Sequence, residues 1–141
     1  MKIMAVDFGD SRTGLAVCDK MELLASPLCV VEEKDFDNCI LKVSELVKEN
    51  KIEKIIVGYP VNMNGTVGER ADRCKLFADT LAEKVGIPVE MWDERCTTVS
   101  AHNYLNQTNT RGKKRKAIID AVAATIILEN YLEYRKNINQ I

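Results

Sequence analysis

The sequence predicts an α/β protein with a mixed five-stranded sheet and helices on both faces. Three short apolar segments separated by turn residues open the chain, which is typical of an antiparallel meander. Segments with helical periodicity then alternate with short apolar runs, as in parallel strands joined by crossover helices. No repeat or low-complexity linker interrupts the 141 residues, so we expect a single domain over residues 1–141.

The opening hairpin carries an acid at the end of each apolar run. The first run, residues 3–6, is followed by Asp7 and then by a Gly-Asp-Ser turn. The second run, residues 15–18, is followed by Asp19. Neither run alternates with polar residues, so we expect both faces of these strands to be covered. Residues 25–31 predict a third strand, and Pro27 near its start favours a position at the edge of the sheet.

The later elements alternate between helix and strand. They are a helix over 35–50, a strand over 54–58, a loop over 61–68, a helix over 69–85, a strand over 89–92, a short helix over 97–105, a polar and basic loop over 106–116, and a last helix over 113–134. Ligands of such sheets bind beyond the carboxyl ends of the parallel strands. Asp93 and Glu94 directly follow one such end.

Composition excludes several classes of function. The net charge is −1, so any contact with nucleic acid depends on local clustering of basic residues. The five cysteines are scattered, which favours reduced thiols in the cytoplasm over a disulfide framework or a zinc site. The chain starts directly on its first strand and no apolar run reaches the length of a membrane span, so we expect neither a signal peptide nor a membrane partner.

Three acidic positions stand in apolar surroundings. Asp120 is the only charge within residues 117–128, and helical spacing puts it on the side of small residues such as Ala124. A carboxylate facing a close-packed surface needs a partner. Together with Asp7 and with Asp93 or Glu94, it predicts an oxygen-ligand site for Mg²⁺ or Mn²⁺.

Each of these acids also has an ordinary interpretation. Asp120 could form a buried ion pair with Arg12 or Arg95, and Asp7 could cap the turn of its own hairpin.

A basic segment directly precedes the helix of Asp120. It consists of Arg111, Lys113, Lys114, Arg115 and Lys116. Cations are unfavourable near a helix N-terminus, where the helix dipole is already positive, so this choice favours an anion nearby, such as a phosphate backbone. A solvated loop is the usual alternative for a run of charges.

Four motifs, in order, resemble the YqgF family of bacterial proteins, described as Holliday junction resolvases and as pre-16S rRNA nucleases. They are Asp-Phe-Gly-x-x-Arg-x-Gly-x-Ala-Val at 7–17, Val-Gly-Tyr-Pro-x-Asn-Met-x-Gly-Thr at 57–66, Asp-Glu-Arg-x-Thr-Thr at 93–98 and Ile-Asp-Ala-x-Ala-Ala-x-Ile-Ile-Leu at 119–128. The resemblance spans nearly the whole chain. It implies a ribonuclease H-like fold and metal-dependent hydrolysis of phosphodiester bonds.

Carried over by motif, the resemblance makes Asp7, Glu94 and Asp120 the catalytic acids and, with Asp93, the ligands of two Mg²⁺ or Mn²⁺ ions. Related nucleases take their second acid from the end of the fourth strand, where this chain has Gly58 and its neighbours. The second ligand must therefore come from Asp93 or Glu94, and the motif leaves open which of the two.

The same resemblance gives the basic residues a role. Arg12 and Arg95, with Arg111 and residues 113–116, would bind phosphates on either side of the scissile bond. Arg12 could instead fix the hairpin turn, and Arg95 could pair with the acids beside it.

Processing of the 5′ end of precursor 16S rRNA is the substrate role that we expect first, with ribosome precursors as partners of a monomer or homodimer. Resolution of four-way DNA junctions comes second, because symmetric cleavage needs a dimer interface that the sequence does not reveal. A non-catalytic RNA- or ribosome-associated factor is a third possibility. A phosphotransfer enzyme of the actin and sugar-kinase type is disfavoured, since it needs two domains of this kind.

Overall fold

Eight helices and strands follow one another in the part of the chain that this computed structural model describes. That part comprises residues 1–59, 68–93 and 112–139, and in the last stretch the side chains of 121–136. The elements are β1 (Ile3–Asp7), β2 (Arg12–Cys18), β3 (Ala25–Glu32), α1 (Phe36–Glu49), β4 (Lys54–Tyr59), α2 (Glu69–Val85), β5 (Val89–Asp93) and α3 (Gly112–Asn139).

The five strands form one mixed sheet in the order β3-β2-β1-β4-β5. β1 pairs antiparallel with β2 and parallel with β4, while β3 extends the antiparallel side and β5 the parallel side. The predicted meander, the parallel strands and the edge position of the strand that contains Pro27 are confirmed.

Two hydrophobic cores lie on opposite faces of this sheet. The α1/α2 core includes Met4, Val6, Leu15, Val43, Val57, Phe77 and Leu81. The α3 core includes Ile3, Ala5, Ala16, Ile56, Ala124, Ile127, Leu128 and Tyr131. Successive residues of a strand point to opposite faces, so a strand that contributes to both cores must be apolar throughout. The predicted coverage of both faces is confirmed.

Local sequence signals set the ends of α1 and α2. The side chain of Asp35 caps α1 by accepting a hydrogen bond from the backbone N–H of Asn38 at 2.9 Å. Gly86 ends α2 in the left-handed conformation, with φ of 69°, which glycine adopts without steric cost. Within the described ranges, no helix has both the length and the apolar character that crossing a membrane requires.

Two boundaries differ from the prediction by more than one residue. β2 begins at Arg12 and not near Leu15, because Thr13 is buried within the sheet and its hydroxyl lies 3.4 Å from Sγ of Cys39. Helix α3 spans Gly112–Asn139 instead of 113–134, so residues 112–116 are helical and not part of a loop. The predicted short helix over 97–105 and most of the predicted loop over 61–68 lie outside the described residues.

An ion-pair network ties the end of α3 to the amino-terminal edge of β1. The carboxylate of Glu22 accepts hydrogen bonds from Arg135 Nε at 2.6 Å and from the terminal amine of Met1 at 3.1 Å. The Arg135 hydrogen bond, against the opposing effect of burial, lowers the pKa of Glu22 below its ordinary value. The network therefore stabilises the fold only while Glu22 is ionised.

We expect Glu22→Gln to lower the free energy of unfolding by about 0.5–1 kcal/mol at neutral pH. The full difference should persist above the ordinary pKa of 4.5 and should disappear as the pH falls through the lowered pKa of the folded state. Urea unfolding of both proteins over this range measures it. Glu129→Gln, which changes an exposed carboxylate on α3, the helix of Arg135, is the control and should show no such pH dependence. A deficit that persists in acid would contradict the ion-pair explanation.

Candidate active site

Asp7 ends the central strand of the sheet, half-buried on the face that α3 covers. It shares this face with Ile3 and Ala5, which belong to the α3 core. Its direct neighbours in register are Gly14 on β2 and Gly58 on β4. Since glycine has no side chain, neither neighbouring strand puts a side chain directly beside this carboxylate.

Asp93 ends β5 at the same edge of the sheet but on the opposite face. It pairs in register with Tyr59, which packs against the α1/α2 core, whereas the preceding Trp92 packs against the α3 core. The alternation of the strand therefore puts Asp93 on the face away from Asp7. Glu94 lies outside the described residues.

Helix α3 runs antiparallel to the parallel strands, because Ala124 and Leu128 pack on the sheet while Arg135 reaches Glu22 at its amino edge. The hydroxyl of Tyr131 donates a hydrogen bond to Glu90 Oε2 at 3.0 Å, and Nζ of Lys54 lies 5.3 Å from the centre of the Tyr131 ring. Lys54 is the first residue of β4. Asp120 precedes Tyr131 in the helix by a rise of about 16 Å, close to the length of β4. A rise of this length brings the backbone at Asp120 toward the carboxyl edge, where Asp7 lies.

The predicted metal ligands are only partly within the described side chains. Among those that are described, no three His, Cys, Asp or Glu residues form a group that could hold a metal ion. Of the four predicted ligands, Asp7 and Asp93 belong to that set, while Glu94 and the side chain of Asp120 do not. The ligand set therefore stays a prediction.

Arg12 is a predicted phosphate-binding residue that begins β2 at the same edge. It falls on the Asp7 face of the sheet, since it alternates with Gly14 and Ala16. Its Nε lies 3.8 Å from Oε1 of Glu32 on the neighbouring strand. The contact joins Arg12 to β3 and not to the hairpin turn, and it leaves several guanidinium donors for other partners.

The basic segment begins α3. Lys113, Lys114, Arg115 and Lys116 all lie in this helix, whose first turn contains no acidic residue. The helix dipole therefore adds to the positive charge at this end. Arg95 and Arg111 lie outside the described residues.

Two arginines near the start of α2 were missed by the sequence reasoning. Arg70 Nη1 and Arg73 Nε lie 3.4 Å and 3.3 Å from the two carboxylate oxygens of Asp10, in the turn between β1 and β2. The same sequence feature that singled out residues 111–116, cations near the N-terminus of a predicted helix, also occurs at Arg70 and Arg73.

The turn that follows Asp7 is tightly constrained. The ring of Phe8 is buried and stacks on that of Phe77, with centroids 4.4 Å apart. A Cβ atom at Gly9 would lie 2.3 Å from the backbone oxygen of Arg12, so only glycine fits there without a shift of the backbone. The end of β1 is thus held both by the core and by the close return of the chain.

Comparison with known proteins adds the family to this geometry. A model of the RuvX family, described as "Holliday junction resolvase", matches residues 1–134. The chain belongs to the RuvX family. This protein is 39% identical over 134 residues to a relative from Ruminiclostridium cellulolyticum, covering 94% of each chain, and 40% identical over 139 residues to one from Halothermothrix orenii, covering 99% of each. Both relatives are named "Putative pre-16S rRNA nuclease". Family and relatives agree on nuclease activity, so the predicted enzyme class is confirmed.

Solved structures agree on the fold of the RuvX protein. RuvC of Thermus thermophilus in complex with a Holliday junction aligns with a TM-score of 0.62 at 16% identity, over 97% of this chain and 96% of that one. The fowlpox virus Holliday junction resolvase aligns with a TM-score of 0.58 at 12% identity, over 95% and 99% of the chains. The ribonuclease H-like fold that the motifs implied is confirmed.

We expect Gly9→Ala to lower the free energy of unfolding by about 1–3 kcal/mol, because the added methyl group must displace backbone. Gly68→Ala is the matched control, since nothing lies within 4 Å of its added Cβ. As a change at a helix N-cap it should cost less than about 1 kcal/mol. Urea denaturation compares the two, and equal losses would show that the turn after Asp7 is not sterically constrained.

Proposed function

We propose that this RuvX protein is a cytoplasmic, metal-dependent nuclease that processes the 5′ end of precursor 16S rRNA, with residues 1–141 forming a single nuclease domain. The observation that carries the proposal is the similarity to pre-16S rRNA nucleases over nearly the whole of both chains. The position of Asp7 at the carboxyl edge, where sheets of this type bind ligands, supports it.

Asp7, Glu94 and Asp120 would hold Mg²⁺ or Mn²⁺, with two ions as the proposed complement. Three carboxylates offer the hard oxygen donors that these ions prefer. The glycines on either side of Asp7 support the fit, because neither puts a side chain beside its carboxylate. A divalent ion bound there supplies charge that makes water a better nucleophile at neutral pH and stabilises a departing oxygen.

Glu94 is a better candidate than Asp93 for the second acid. The pleat of β5 directs Asp93 to the face opposite Asp7, whereas the face of Trp92 is the one that α3 covers. This placement disfavours Asp93, so we propose Glu94 for the position that the motif left open.

The remaining roles belong to cations and to the scaffold. Arg12, Arg95, Arg111 and residues 113–116 would bind phosphates on either side of the scissile bond, so that the substrate lies across the carboxyl edge. The central strand holds Asp7 in a rigid frame, because its neighbours on both sides pair with it. Precise placement of this kind is what positions a reacting phosphate against its nucleophile.

We expect Asp7→Asn, Glu94→Gln and Asp120→Asn each to reduce cleavage of a precursor 16S rRNA fragment on the order of 10²–10³-fold or more, because each removes a metal-binding charge. Asp120→Asn should leave stability unchanged or raised, since the apolar pattern of residues 117–128 predicts that it removes a charge facing the sheet. EDTA should abolish wild-type cleavage, and Mg²⁺ or Mn²⁺ should restore it. Gel assays under single-turnover conditions measure these rates.

Asp79→Asn and Asp93→Asn serve as controls for these three acids. Asp79 is an exposed aspartate on α2, and Asp93 lies on the other face of the sheet. Both variants should retain cleavage within a few-fold of wild type. A fully active Asp120→Asn would remove Asp120 from the site, cleavage in EDTA would refute the metal requirement, and loss of activity in Asp93→Asn but not Glu94→Gln would reverse their assignment.

Neutralising Lys113, Lys114 and Arg115 to Gln should weaken binding to RNA of any sequence. Fewer cations would then displace counterions from the phosphates, so the magnitude of the slope of log affinity against log salt should fall by roughly 2–3. Filter binding at several salt concentrations measures the slope.

The control for this variant removes the same charge at the opposite edge of the sheet, through Gln substitutions at Lys20, Lys48 and Lys84. If the slope is unchanged in the first variant, or falls equally in both, the start of α3 does not bind phosphates.

Resolution of four-way DNA junctions is the second candidate, and the description of the RuvX family favours it. A junction and a precursor rRNA fragment, assayed side by side with wild type and Asp7→Asn, separate the two. Cleavage of the junction alone would reverse the order of the candidates. Binding of RNA without cleavage of either substrate would favour the non-catalytic factor.

A further inference from the structure

Arg70 joins helix α2 to two residues of the turn that follows β1, Phe8 and Asp10. Its Nη2 donates a hydrogen bond to the backbone oxygen of Phe8 at 3.2 Å. Its Nη1 lies 3.4 Å from Oδ2 of Asp10, with which it forms an ion pair. One guanidinium group thus spans the turn, and Phe8 is the residue directly after Asp7.

The rest of the turn is held from the same side. Nε of Arg73 lies 3.3 Å from the other carboxylate oxygen of Asp10, and its guanidinium carbon lies 5.9 Å from the centre of the Phe8 ring. The Phe8 ring also meets the rings of Phe36 and Phe77. All these contacts converge on the segment that leaves β1, and none of them touches β1 itself.

Global stability does not account for this arrangement. The side chains of Arg70 and Asp10 are 51% and 69% exposed, and ion pairs at that exposure contribute little to the free energy of folding. The hydrogen bond to the Phe8 carbonyl has a separate effect, because it restrains the Phe8–Gly9 peptide, one residue beyond Asp7. A guanidinium group can hold two acceptors in a fixed relation, whereas a lysine ammonium is a single point of contact.

We propose that Arg70 is a positioning residue that holds the backbone at Phe8 and thereby orients the carboxylate of Asp7 for metal binding. This role rests on the proposed metal-dependent nuclease function. It accounts for an exposed arginine near a helix N-terminus, where the dipole disfavours it, without assigning Arg70 to the substrate.

The test compares Arg70→Ala, Arg70→Lys and Lys75→Ala with wild type. Lys75 is an exposed cation on the same helix, so its variant removes the same charge without touching the turn. Two readouts are needed: the affinity for Mn²⁺ alone, from the electron paramagnetic resonance signal of the free ion, and kcat and KM for cleavage of precursor rRNA. Thermal unfolding checks that each variant is folded.

We expect both Arg70 variants to bind Mn²⁺ roughly 10–100-fold more weakly than wild type and to lose kcat to a similar extent, as happens when a group that orients a metal ligand is removed. KM and the melting temperature should change little. Lys75→Ala should match wild type in every readout. Failure of Arg70→Lys to rescue Mn²⁺ affinity is the distinctive result, because it retains the charge and loses the two-point contact.

Two results would overturn the role of Arg70 and leave the nuclease function standing. One is wild-type Mn²⁺ affinity and kcat in Arg70→Lys. The other is an effect confined to KM that depends on salt, which would make Arg70 a phosphate contact. If the wild-type protein neither binds Mn²⁺ nor cleaves RNA, the proposed function falls and the positioning role falls with it.

Discussion

The pairing of β1 on both of its edges is the constraint on which the rest of the structure depends. Its antiparallel pairing with β2 and its parallel pairing with β4 make it the central strand, and the α1/α2 core and the α3 core bury its two faces. The backbone of such a strand is paired on both sides, so its last residue is held between two neighbouring strands. Asp7 stands at that end.

Different elements pack around the end of β1 on the two faces of the sheet. On one face, α3 runs antiparallel to the parallel strands, and its buried stripe of small and aliphatic residues brings the helix close to β1. On the other, α2 anchors the turn that leaves β1, through aromatic packing of Phe8 and through Arg70 and Arg73. The proposed metal role of Asp7 would draw on this arrangement, in which its carboxylate is oriented from one side of the sheet and partnered from the other.

Local patterns made most elements predictable, and the failures have physical causes. The α2 boundaries of 69–85 followed from apolar spacing and from Gly86, because both act within a few residues. The start of β2 was missed because Arg12, Thr13 and Gly14 lack the apolar pattern of a strand. They are extended because they pair with β3. The end of α3 was placed too early because its last turns are held by the ion pair of Arg135 with Glu22, more than a hundred residues away in the chain.

By itself, the sequence determined the class of the fold and the family, and it predicted acids and cations that could act on phosphodiester bonds, since motifs and apolar periodicity are local properties of the chain. Tertiary structure alone decided how those residues are placed relative to one another in space. Register set glycines on both sides of Asp7 and put Asp93 on the opposite face, and helix docking brought Arg70 to the carbonyl of Phe8. The reason is that the face of a strand residue and the partner of a helix residue depend on pairing and packing between distant segments, which no local pattern encodes.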